Sequence, residues 1–87
     1  MLIQVTAEDI KNGIRKDCRK CPIALAIHRA IPEALEVTVS AQSVLVHSEK
    51  FDKLVKHAWL PNNANNFIFD FDGLHPVKPF SFNIELK

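Results

Sequence analysis

Cys18 and Cys21 enclose two residues in a Cys-x-x-Cys, a spacing that serves half of a tetrahedral zinc site, a dithiol redox pair, or two small apolar residues beside a helix start. A structural zinc site needs a second pair of ligands. No second Cys-x-x-Cys follows, and His28, His47, His57 and His75 are scattered without a closely spaced His pair. A redox pair of the thioredoxin type follows a strand and opens a long helix, whereas this one follows a short helix and a basic loop. The expectation is packing thiols, with Cys21 capping the helix that Pro22 begins, no bound zinc and no obligatory disulfide. A helix N-terminus and nearby lysines both lower a thiol pKa, so Cys21 also has the surroundings of a nucleophile, but the sequence shows no partner base. Asp70 and Asp72 are the one close carboxylate pair, and two residues apart on a helix they point in different directions, as capping and solvated groups do. With only Gly13 and Gly73 available, no phosphate-binding loop, dinucleotide fingerprint or nucleophile elbow can be assembled. No catalytic residue, cofactor or metal ligand is assigned, and the expectation is that the chain is not an enzyme.

The second chemical feature is charge. Arg15, Lys16, Arg19 and Lys20 surround Asp17, and Arg29 follows one helical stretch later, in a chain whose net charge is only +1. Phosphate neutralisation by Lys and Arg supplies most nucleic-acid affinity, so any such binding must come from this patch. The plain alternative is a solvated loop that keeps a small domain soluble. The candidate binding residues are Arg15, Lys16, Arg19, Lys20 and Arg29, together with the helix start at Cys21 and Pro22, where unpaired N–H groups add positive potential and could hold a small anion such as a nucleotide. If the loop only solubilises, the next surface to consider lies around Trp59, Asn62 and His75.

Elements must position these residues. Leu2 to Val5 reads as a strand, and Thr6 caps a short helix with Glu8 and Asp9 in its first turn. Gly13 is expected to stop that helix as its left-handed residue, leaving Ile10 and Ile14 to pack against something larger. Pro22 to Ala30 reads as a second helix, apolar nearly all round and ended by Pro32, with His28 near its end. Leu35 to Ser40 and Ser43 to His47 alternate as a hairpin. Phe51 to Leu60 fits helix or strand, and strand is preferred. Asn62 to Asp72 reads as a helix with Ala64, Phe67, Ile68 and Phe71 on one face, capped by Gly73, and Phe80 to Leu86 alternates as a final strand.

Eighty-seven residues, 47% hydrophobic and 24% charged, describe a single α+β domain over residues 1–87, because a second domain would have too little chain for its own core. The expected architecture is a two-layer sandwich: a small, mostly antiparallel sheet covered by about three helices, with Val5, Leu25, Phe67, Phe71, Phe82 and Ile84 buried around a single sheet. No stretch approaches the roughly 20 apolar residues of a membrane span, and the N-terminus has no basic region leading into an apolar run. These features give the expectation of a cytoplasmic protein without membrane partners.

Three pieces of the chain also carry a resemblance. They are Thr6-x-x-Asp9-Ile10-x-x-Gly13, the Cys21-Pro22-Ile23-Ala24-Leu25-Ala26 segment, and the ending Phe67-Ile68-x-x-Phe71-Asp72-x-x-x-x-Val77-x-Pro79-Phe80-x-Phe82. Together they resemble a group of short uncharacterised proteins of phages, prophages and bacteria. The resemblance implies a shared fold and a mobile-element origin, and because it rests on core, cap and turn residues it carries no catalytic residue over. The segment Glu49 to Trp59 has no counterpart in it. The functional expectation is a non-enzymatic binding module that contacts a host or phage protein, with inhibition of a host defence protein as one form. The alternatives are a nucleic-acid accessory protein using the basic loop, and a protein that sequesters a small anionic ligand such as a nucleotide.

Overall fold

The computed structural model describes residues 1–40, 42–48 and 55–87. In chain order its elements are β1 (Leu2–Val5), α1 (Ala7–Asn12), α2 (Pro22–Ala30), β2 (Glu36–Ser40), β3 (Ser43–His47), β4 (Val55–Trp59), α3 (Asn62–Asp72) and β5 (Phe80–Asn83). The α+β class, the antiparallel pairing and the three helices stand as expected. The strands divide into two sheets, however: a β1–β5 ribbon and a three-stranded β2–β3–β4 sheet. The single sheet expected around the core is therefore corrected.

Local chemistry explains most of the elements. In α1 the Thr6 hydroxyl accepts the Asp9 amide at 3.2 Å while the Asp9 carboxylate accepts the Thr6 amide at 2.9 Å, a reciprocal capping box that satisfies both donors of a short helix. In α2, Pro22 occupies the first turn and the Cys21 sulfur accepts the Ala24 amide at 3.5 Å, as the capping expectation required. The hairpin pairs Val37 with Val46 and Val39 with Val44, and β4 continues the sheet by pairing Ala58 with Val44. This bears out a strand at Val55–Trp59, which ends one residue before Leu60; residues 51–54 of the ambiguous stretch lie outside the described residues.

The core is one cluster. Ile23, Ala24, Ala26 and Ile27 of α2 lie buried with Ile3 and Val5 of β1, Val37 and Val39 of β2, Val44 and Val46 of β3, Ala64 and Phe67 of α3, and Phe82 and Ile84. Stacked rings run from Phe71 to Phe67, from Phe67 to Phe80 and from Phe80 to Phe82, with centroids 5.9, 4.8 and 5.5 Å apart, and they fix α3 against β5.

Several expectations are corrected. Gly13 is extended (φ −69°, ψ 150°), not left-handed; a methyl group there would lie 2.5 Å from Pro22 Cδ, so the position needs glycine for close approach to α2. Gly73 closes α3 at φ −87°, and the left-handed residue is the next one, Leu74, at φ 66°. Ile14 remains 49% exposed, and Leu25 and Phe71 are half-buried. The last strand ends at Asn83, although Ile84 is buried as its alternation implied.

Candidate binding site

Four cations crowded into residues 15–20 repel one another, and the loop is held in place by backbone bonds from all sides. The Ile14 amide donates to the Lys20 carbonyl at 2.8 Å, and Asp17 Oδ1 accepts the Arg19 and Lys20 amides at 2.9 and 3.0 Å, a turn chemistry typical of Asp. Two bonds fasten the loop to the body. The Lys16 amide donates to Asp72 Oδ1 of α3 at 2.9 Å, and the Val39 amide of β2 donates to the Cys18 carbonyl at 2.7 Å. Lys16 takes φ 61°, a left-handed conformation costing a non-glycine residue about 1 kcal/mol or more, which the bond to Asp72 helps to offset.

The expected site residues fall into three groups. Arg15, Lys16 and Lys20 are exposed, and their side chains have no ion-pair or hydrogen-bond partner among the described residues. Arg19 Nε lies 2.7 Å from Glu36 Oε1 on β2, an exposed pair. Arg29 plays a different part: its guanidinium grips both Asp9 oxygens at 2.6 and 2.8 Å and the Gln4 carbonyl at 2.8 Å. It shares a groove of about 350 Å³ with Arg19 and Lys20, yet its charge is neutralised by a carboxylate 6% exposed, so it ties α1, α2 and β1 together and is a poor phosphate contact.

The helix start is also closed. Cys21, Pro22, Ile23 and Ala24 are all buried, and the Ala24 amide is committed to the Cys21 sulfur. The reading of this point as an open anion site is corrected, because packing of α2 against Gly13 covers it. Burial pushes the Cys21 thiol above its ordinary pKa, outweighing the helix-start amides that pull it down, the opposite of what a nucleophile requires. Cys18 is exposed. His28 Nε2 lies 2.9 Å from the Ala34 carbonyl. The Asp70 and Asp72 carboxylates diverge, one toward His75 and the other to the Lys16 amide. Among the described residues no three His, Cys, Asp or Glu side chains converge as metal ligands, and no helix is long and apolar enough to cross a membrane.

Comparison with protein-family models, with curated proteins and with solved structures finds no match for this chain.

A second feature adjoins the loop. A cleft of about 750 Å³ is floored by Asn62, Asn65, Ile68, Phe69 and Asp72 of α3, walled by Lys16 on one side and Gln42 on the other, and ended by Gly73 and His75. Gln42, like Lys16, is left-handed (φ 76°), and its amide donates to Asn65 Oδ1 at 2.9 Å. Asn65 Nδ2 in turn donates to the Leu60 carbonyl at 3.3 Å. Polar side chains of α3 therefore hold both walls, Asp72 through Lys16 and Asn65 through Gln42. Of these residues only Lys16 was a candidate from the sequence, with Asn62 and His75 named as a fallback surface; Trp59, named with them, is not part of the cleft. The available signal was the Asn62-Asn63-Ala64-Asn65-Asn66 run, a poor composition for a helix that folding alone does not call for.

Proposed function

We infer that this protein is a small non-enzymatic binding module that acts through surface contact with another protein. The observation that carries the reading is the basic loop: its backbone is fixed to α3 and β2, while the side chains of Arg15, Lys16 and Lys20 stand exposed without partners among the described residues. A held backbone lowers the ordering cost of association, and uncommitted cations steer an acidic partner. The buried Cys21 thiol, raised by its surroundings, supports a binding role over a covalent one. The resemblance of the cap, core and ending segments to short phage and prophage proteins supports a host or phage protein as partner, with inhibition of a host defence protein as one form of the contact.

The test is affinity capture from bacterial lysate with wild type beside a variant carrying Arg15→Glu, Lys16→Glu and Lys20→Glu. Arg19 is left in place because of Glu36. These exposed substitutions leave folding nearly intact, and the expected result is a stoichiometric protein partner held by wild type and lost from the variant. Equal capture by both would remove the loop from the interface. A salt-sensitive gel shift abolished by the same variant would assign the loop to nucleic acid instead.

A further inference from the structure

We propose that the cleft between the basic loop, the β2–β3 turn and α3 is a binding site for a single nucleoside monophosphate. The inference is independent of the protein-contact reading and goes beyond it.

The first argument is the state of the walls. The described residues contain three non-glycine residues with positive φ, namely Lys16, Gln42 and Leu74. The first two line this cleft and the third lies between Gly73 and His75, which close it. Gln42 takes this conformation in the tight turn that joins the paired Ser40 and Ser43, Leu74 at the end of α3, and Lys16 within the basic loop. Here Asp72 and Asn65 hold the strained amides of Lys16 and Gln42, so the cleft is formed in advance of any ligand.

The second argument is the chemistry that this leaves facing inward. Asn62, Asn65, Phe69 and Asp72 recur along α3 at helical spacing and make one stripe. Phe69 is 73% exposed, and it lines the cleft. Its ring has His75 edge-on at 6.2 Å. The side-chain amides of Asn62 and Gln42 have no hydrogen-bond partner among the described residues, and each offers a donor and an acceptor, the pairing a base edge presents. An aromatic face contributes about 1–3 kcal/mol per stacked base. The Lys16 ammonium is likewise without a partner among the described residues. Asp72, one oxygen of which holds the Lys16 amide, can accept from sugar hydroxyls with the rest of its carboxylate.

The charges set the size of the ligand. Lys16 and Asp72 both line the cleft: the one ammonium can pair with one phosphate, and the carboxylate repels the further charges of a polyphosphate or a continuous strand. The stripe from Asn62 to Asp72 runs about 15 Å at a helical rise of about 1.5 Å per residue, room for one base with its sugar and phosphate. Its volume of about 750 Å³ falls in the range of about 300–1,000 Å³ usual for small-molecule sites.

Calorimetric titration of the intact protein with AMP, GMP, CMP and UMP, with adenosine, and with glucose and ribose 5-phosphate tests the assignment. The expected result is saturable one-site binding of at least one nucleoside monophosphate, weakened about tenfold or more by Phe69→Ala and by Asn62→Ala. Both side chains are exposed, and circular dichroism checks that each variant remains folded. Lys16→Asn keeps a residue that tolerates left-handed backbone; it should weaken the monophosphate and leave the corresponding nucleoside unchanged. Binding of no nucleoside monophosphate tighter than about 1 mM overturns the proposal. So does glucose or ribose 5-phosphate binding as well as the best monophosphate, or an affinity indifferent to Phe69→Ala.

Discussion

Asp9 is a carboxylate taken almost wholly out of water, where few polar side chains are buried among the described residues. Burial by itself would raise its pKa, but the hydrogen bonds from Arg29 and from Thr6 outweigh that and hold it below the ordinary carboxylate value. The sign of the consequence is fixed. A group whose folded pKa is depressed contributes stability above its unfolded value, near about 3.9 for Asp, and loses it as pH falls through the folded value. Asp9→Asn should therefore cost about 1–3 kcal/mol near neutral pH, where the charge and one of the two oxygens gripped by Arg29 are lost while the remaining amide oxygen can still accept the Thr6 amide. The gap from wild type should close as pH falls below about 4. Denaturant midpoints of the two proteins across this range decide it: a gap independent of pH would show that the ionised carboxylate is not what stabilises the α1–α2 junction. The sequence disclosed each half of this pair separately, since Asp9 belongs to a local capping pattern and Arg29 to a helix end. Their union spans 20 positions, and no local pattern encodes it.

Among the elements, the two glycines separate what sequence pattern reveals from what only packing decides. Both were expected to end helices, and both do, yet neither is left-handed. The rule that links helix-ending glycine to positive φ reads a backbone preference, whereas Gly13 answers to a neighbour nine residues on, the ring of Pro22, against which a methyl group would lie at 2.5 Å. At Gly73 the nearest atom to such a methyl is the Phe69 carbonyl oxygen at 3.2 Å, on a backbone that any residue can adopt. Gly13→Ala should accordingly cost about 1–3 kcal/mol through overpacking, and Gly73→Ala less than about 1 kcal/mol. Urea denaturation of both variants compares them directly, and equal effects would mean that the α1–α2 contact gives way freely. The same division holds for the strands. Alternation in Leu35–Ser40 and Ser43–His47 specified the hairpin because each strand has one buried face. Nothing in Leu2–Val5 or Phe80–Asn83 told whether these strands would join it or pair apart, because edge choice is settled by which surfaces α2 must cover. The cleft was hidden for a related reason: Lys16, Gln42 and Asn62 come together only when a loop, a turn and a helix are packed, although the cations themselves were legible as a run.

At the scale of the molecule, α2 is what makes two small sheets into one fold. A two-stranded ribbon is marginally stable at best in water, and β1–β5 is such a ribbon. Helix α2 packs against both β1 and β2, with Ile23, Ala24, Ala26 and Ile27 buried along it, so it buries apolar surface from both sheets at once. One further tie joins the two sheets: Lys87 exchanges backbone hydrogen bonds of 2.9 and 3.0 Å with His57 of β4, linking the segment after the ribbon to the edge of the larger sheet, while the 2.9 Å bond from the Met1 amino group to the Ile84 carbonyl continues the β1–β5 pairing. Neither sheet has a core of its own, and the two should unfold as one unit. Ile27 is fully buried, and Ile27→Ala should cost about 2–5 kcal/mol. Native-state hydrogen exchange then reads the cooperativity: amides of Ile3 and Phe82 in the ribbon and of Val44 and Val46 in the larger sheet should lose protection by the same free energy in the variant. Were the ribbon amides to exchange freely while Val44 and Val46 kept wild-type protection, α2 would be a cover on one sheet, and the union of the two would have to come from the Lys87–His57 tie and the Phe67–Phe80 stack.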